Sequence, residues 1–174
     1  MNQHAIAARM EWIPEAVRAL CAGLRPEDAR MRGPEGQWCV LEIVCHLCDE
    51  EELDFGARLR LTLTDPATPW PPIDPEAWPE KHRYMERELA ERVETFSRLR
   101  GQSIAWLRSL PPNVDWSAAH PLGGEPISRA DLLLSWSAHD ALHVRQIAKR
   151  MYELAQRDGR HEGFSPRYAG AWGA

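Results

Sequence analysis

Trp136-Ser137-Ala138-His139-Asp140-Ala141-Leu142-His143-Val144-Arg145-Gln146-Ile147 is the stretch on which the reading of this chain turns. Its apolar residues return every three or four positions, the period of an α-helix with one buried face. His139 and His143 are four apart, so they rise on the same face, about 6 Å apart along the axis. Leu132, Trp136, Gln146 and Ile147 share that face, which therefore points inward. Just upstream, Ser128-Arg129-Ala130-Asp131 reads as a capping-box start with Asp in place of the usual Glu, and the helical pattern runs on to about Ala155.

Three further segments carry the helical period. The first runs from about Ala5 to Ala22, with Pro14 predicted to kink or divide it and Gly23 as its stop. The second runs from about Cys39 to Leu63, with Val40, Ile43, Val44, Leu47 and Leu53 at helical spacing. The third spans roughly Lys81 to Leu110 and ends at Pro111 and Pro112. Arg25 to Gln37 and Asn113 to Ile127 read as Pro- and Gly-bearing loops. Asp65 to Pro79 holds Pro66, Pro69, Pro71, Pro72, Pro75 and Pro79, a density no regular helix or central strand survives, so it too is expected to be a loop. No Val/Ile/Thr-rich alternation suggests a sheet, and Gln156 to Ala174 reads as a polar tail. The expected architecture is all-α: a four-helix bundle with long crossover loops, one domain over residues 1–174 with a core at about 5–155. Such bundles often place metal or ligand sites between facing helices.

Composition narrows the function classes. The chain has 174 residues, 44% of them hydrophobic and 27% charged, which allows a sizeable core and argues against wholesale disorder. A formal charge of -5, with cations scattered among acids, gives no phosphate-backbone footprint, so no nucleic-acid partner is expected. The longest apolar run, Leu132 to Leu134, is too short to cross a bilayer, and Met1 to Met10 lacks the apolar core of a secretory signal; a cytoplasmic protein with no membrane partner is the expectation. Cys21, Cys39, Cys45 and Cys48 are accordingly read as free thiols.

The histidine pair gains meaning from His46, which sits on the inner face of the second helix in line with Ile43, Glu50 and Leu53. Two imidazoles on a buried stripe need partners, because an unpaired buried polar group costs roughly 1–3 kcal/mol. A shared divalent ion (Zn, Ni, Mn or Fe, among which three histidines do not choose) satisfies them and leaves a coordination position open. The blander alternative is a set of hydrogen-bonded core histidines. Glu50 is a candidate fourth ligand, orienting acceptor or catalytic base, set against a solvated carboxylate in the run Asp49 to Asp54. Asp140 points about 100° away from His139 around the helix and reads as structural.

Several of these residues together resemble the DinB-like (YfiT-like) family of metal-dependent enzymes. They are Gly36-Gln37-Trp38 leading into a helix with His46-Leu47 and the acids to Glu50, then His139-Asp140-Ala141-Leu142-His143 with Gln146-Ile147, and His120 to Gly123 ahead of the last motif. The resemblance spans roughly Ile6 to Met151. It implies a four-helix bundle, often a homodimer, with a divalent ion on the counterparts of His46, His139 and His143. It also implies a small-molecule substrate and either a thiol-dependent S-transferase or isomerase, using a low-molecular-weight thiol as cosubstrate, or a metal-dependent hydrolase. The family name gives no reason to expect DNA binding. One departure is visible: the helix after Trp38 is usually capped by Ser or Thr, and here the position is Cys39, a poor cap.

Three function hypotheses follow. In the first, an enzyme uses the ion as a Lewis acid toward bound water or a thiol; the loop tryptophans Trp70 and Trp78 either wall its pocket or simply pack the loop down, and Arg145 and Arg150 either receive a substrate carboxylate or form exposed salt bridges. In the second, a non-catalytic bundle binds a ligand or partner, with a structural metal or none. In the third, Cys45-His46-Leu47-Cys48 is a redox or zinc motif, although reactive pairs of that spacing usually sit at a helix N-terminus and this one lies about two turns inside.

Overall fold

The computed structural model describes residues 1–120, 126–160, 162–167, 169–170 and 172. Helices α1 (Gln3–Met10) and α2 (Ile13–Cys21) form the first arm of a bundle, α4 (Val40–Leu53) and α5 (Phe55–Thr64) the second, α7 (Leu89–Ser109) the third, and α8 (Arg129–Arg160) the fourth. Short helices α3 (Pro26–Ala29) and α6 (Trp78–Lys81) lie in the connections, as do single 3-10 turns at Pro34–Gly36 and Tyr84–Glu86. The expected four-helix bundle is the observed fold. The differences lie in boundaries.

Pro14 divides the first arm as predicted: it sits in the first turn of α2, where its missing N–H costs nothing. The second arm, expected as one helix, breaks at Asp54, whose φ of -120° and ψ of -103° leave the helical region. Gly56 permits the bend, because a Cβ there would lie 2.4 Å from the carbonyl oxygen of Glu51. The bend seats Phe55 parallel to the Trp136 ring, with centroids 6.4 Å apart. The third helix begins at Leu89 rather than near Lys81, since Arg83 takes a left-handed conformation and interrupts it. The fourth continues to Arg160, beyond the expected end.

Capping explains two starts. Ser128 and Asp131 exchange hydrogen bonds as the sequence predicts, the Asp131 amide donating to Ser128 Oγ at 3.0 Å and the Ser128 amide to Asp131 Oδ2 at 3.2 Å. At Cys39 the weak cap is compensated from the other side: buried Glu42, three residues on, accepts the Cys39 amide at 3.0 Å and is itself held by Arg32. A two-residue antiparallel pairing, β1 (Ala119–His120) with β2 (Ile127–Ser128), fastens the last loop; it was not expected, because two residues are too few to show an alternating pattern. Of the stretch His120 to Gly123, residues 121–123 lie outside the described residues.

The core has two apolar layers with a polar layer between them. One layer gathers Ile6, Met10, Leu59, Ile104, Leu107 and Trp136, the other Val17, Ile43, Leu47, Val93, Phe96 and Ile147. The order in which each arm meets these layers makes α4/α5 parallel to α7, and α1/α2 parallel to α8. The connection from α5 to α7 therefore runs the length of the bundle. It is anchored at both ends by buried indoles: Trp70 Nε1 donates to Thr62 Oγ1 at 2.9 Å, and Trp78 packs with Cys39, Leu41, Cys45 and Tyr84. Packing the loop down is thus the role of Trp70; Trp78 does this and also borders the histidines.

Between the layers Arg100 of α7 reaches across the bundle. Its Nη1 and Nη2 donate to Asp140 on α8 at 2.6 and 2.8 Å, its Nε donates to Glu51 on α4 at 2.6 Å, and Nη1 also reaches the Met10 carbonyl, freed by the break after α1, at 3.3 Å. Ser103 Oγ and Trp136 Nε1 complete the shell around Glu51. Asp140 is structural, as its direction around the helix predicts.

Candidate metal centre

His46 comes from the middle of α4, and His139 and His143 from successive turns of α8. The three rings meet: one nitrogen from each lies within 4.8 Å of the others. His139 and His143 face each other with Nε2 atoms 3.2 Å apart, and the His46 ring centroid lies 4.8 Å from that of His143 and 5.5 Å from that of His139. All three expected ligands converge, His46 and His143 being buried and His139 half-buried.

Position and protonation both suit a cation. Burial and the neighbouring imidazoles push His46 down to about 3; burial, with His139 beside it, pushes His143 down to about 4; burial lowers His139 as well. The rings are therefore neutral near pH 7, the form that donates a lone pair. Gln146 Oε1 sits 2.8 Å from His143 Nδ1, so that nitrogen carries the proton and donates, leaving the Nε2 lone pair to face His139. Two nitrogens on one ion at about 2.0–2.1 Å, subtending 90–109°, stand about 2.9–3.4 Å apart; the 3.2 Å between His139 and His143 fits that range. The buried His46 Nδ1 and Glu50 Oε2 have no hydrogen-bond partner among the described residues. The donor set fits a divalent ion.

Glu50 is buried, with Oε1 3.1 Å from His46 Nε2, and is not the solvated carboxylate that the acidic run allowed. Burial, with Asp54 adding its charge, raises it to about 8. The acids Asp49 to Asp54 have in fact separate destinations. Asp49 accepts from the Tyr84 hydroxyl and lies 2.6 Å from His82 Nδ1, Glu51 joins Arg100, and Asp54 pairs with Arg58 at 2.9 Å. Aromatic walls close the centre: Trp38 and Trp78 stand 4.8 and 5.7 Å from His46, and Phe55 stands 5.2 Å from His139. Sequence reasoning did not give Trp38 or Phe55 a place here; the first precedes its helix and the second follows a bend that spacing does not show.

Cys45 and Cys48 do not form a reactive pair. Both are buried, Cys48 Sγ bonds the Arg92 carbonyl at 3.4 Å, and burial pushes the Cys45 thiol up to about 12 and Cys48 higher still.

Comparison with known proteins agrees with this architecture. A solved structure, YfiT from Bacillus subtilis, described as a probable metal-dependent hydrolase with an unusual four-helix bundle topology, superposes with a TM-score of 0.70 at 23% identity, covering 86% of this chain and 87% of that one. No curated protein matches the sequence. No helix among the described residues is long and apolar enough to cross a membrane. The model of the DinB superfamily matches residues 9–147, and the chain belongs to that family.

Proposed function

We propose that this protein is a metal-dependent enzyme acting on a small molecule, with His46, His139 and His143 holding one divalent ion and Glu50 serving as its base. The observation that carries this reading is the meeting of three neutral imidazoles from two helices in a mostly buried, aromatic-walled site. When bound, the ion supplies Lewis acidity toward the substrate or toward an attacking water or thiol. Gln146 holds the His143 tautomer, and Trp38, Trp78 and Phe55 exclude bulk water, which strengthens every charge interaction inside. Glu50 Oε2, without a partner among the described residues, is placed to take a proton from the nucleophile once a cation on the histidines beside it favours its carboxylate form. Hydrolysis, with water as nucleophile, and S-transfer or isomerisation, with a low-molecular-weight thiol, use the same residues.

A second reading has one observation in its favour. His143 with His139, and His46 with Glu50, lie within hydrogen-bond distance of each other, so the cluster can satisfy most of its own donors as a non-catalytic core.

Elemental analysis of protein purified without a histidine tag separates the two. About one equivalent of Zn, Ni, Mn or Fe, lost in His143→Ala, is expected. Metal-free protein whose stability His143→Ala leaves unchanged refutes the enzyme reading. On the loaded form, a screen of ester and amide hydrolysis beside thiol transfer then assigns the reaction.

A further inference from the structure

A recess of about 590 Å³ opens beside the histidines, a size that suits a small organic ligand. It is joined to the candidate centre at two points: Gln146 lines it while bonding His143, and Trp38 lines it while packing on His46. Its charge runs against that of the molecule. The chain carries a formal charge of -5, yet Arg145, Lys149 and Arg150 line the recess and, among the described residues, no carboxylate does.

The three cations are not equivalent. Arg150 is built in: only 3% exposed, it donates from Nη2 to Gln37 Oε1 at 2.9 Å and to Glu153 Oε1 at 3.1 Å, and its Nη1 has no hydrogen-bond partner among the described residues. Its guanidinium lies where a Cβ on Gly33 would stand, 1.3 Å from Nη1, so the chain leaves out a side chain to admit it. Arg145 and Lys149 have no carboxylate within salt-bridge distance among the described residues. Arg145 is exposed and Lys149 half-buried, so the surface ion pairs that usually occupy such side chains do not occupy these. Trp172 lies over the same recess, its ring 5.7 Å from that of Tyr152 on α8.

We infer that this recess binds the anionic end of the substrate, a carboxylate or phosphate ester on a compact apolar body, with Arg145, Lys149 and Arg150 receiving the oxygens and Trp38 and Trp172 covering the body. Arginine forks and a lysine ammonium are the groups that recognise such oxyanions. At about 1.5 Å per residue, Arg145 and Lys149 lie about 3 and 9 Å along α8 from His143, which limits the body to a small molecule. That the bound group is a substrate rests on the enzyme reading given above; that the recess takes an anion does not.

The test is isothermal titration of wild-type protein, of His143→Ala and of the Arg145→Gln/Lys149→Gln variant, in a buffer free of phosphate and carboxylate. The probes are benzoate, phenylphosphate and inorganic phosphate, with benzyl alcohol as the neutral control. Saturable binding of at least one anion by wild type and by His143→Ala is expected, at least tenfold weaker in the double variant and weakened by added salt. Benzoate against phenylphosphate distinguishes carboxylate from phosphate, and phenylphosphate binding tighter than inorganic phosphate reports the indole walls. Absence of binding by every anion, equal binding of benzyl alcohol, or unchanged affinity in a double variant whose helical circular dichroism matches wild type overturns the inference. Wild-type protein that is metal-free as purified and still binds the anion removes the enzyme reading and leaves the recess standing.

Discussion

Gly33 illustrates how single atoms hold this site. Its φ of -72° is open to any residue, so its need is one of space alone: a Cβ would fall on Arg150. Gly33→Ala is expected to cost about 1–3 kcal/mol, the usual penalty for forcing atoms into a packed position. Most of that cost should vanish in an Arg150→Met background, where the guanidinium is gone. Urea unfolding of the four proteins of this double-mutant cycle measures the coupling; additive costs would show that Gly33 and Arg150 do not compete for one volume. The neighbouring acids Glu50 and Glu51 make the same point about direction. One residue apart, they differ by about 100° around the helix, and so one faces His46 while the other joins the buried arginine.

At the scale of helices, Arg100 ties α1, α4, α7 and α8 together at the level where α1 ends and the second arm approaches its bend. Removing the cation alone strands two buried carboxylates. Arg100→Met is therefore expected to cost about 3–5 kcal/mol, whereas replacing Arg100, Glu51 and Asp140 together by apolar residues of similar volume should recover much of the loss. Chemical denaturation of both variants checks this. A single variant within 1 kcal/mol of wild type would mean that the network adds little, despite its burial. Because Asp140 adjoins His139 and Glu51 adjoins Glu50, the same network sets the rotation of both site-bearing helices.

For the molecule as a whole, burial governs chemistry that sequence proximity suggests. Four cysteines fall in the first third of the chain, and all four are buried and free. Desolvation pushes Cys39 up to about 11, and Cys21 and Cys45 up to about 12, so thiolate is scarce at any pH that the fold normally meets. A disulfide-exchange reagent at pH 8 should find no fast-reacting thiol in the native protein and four after unfolding in guanidinium. Rapid native reaction at Cys45 and Cys48 would revive the redox reading.

The sequence by itself determined four helical arms, the division at Pro14, the Ser128 cap and the placing of His139 and His143 on one face. Each of these depends on hydrogen bonds and side-chain directions within a few residues, which local spacing encodes. It also put His46 on an inward face, so the three candidate ligands could be named from local spacing. Only the tertiary structure decided that His46 faces the α8 pair, that Glu50 is buried, that Asp54 and Gly56 bend the second arm, and that Arg100 and the basic recess exist as units. Those features pair residues tens of positions apart, and which of them meet depends on how the arms rotate and pack against one another, a sum over the whole core that no single segment carries.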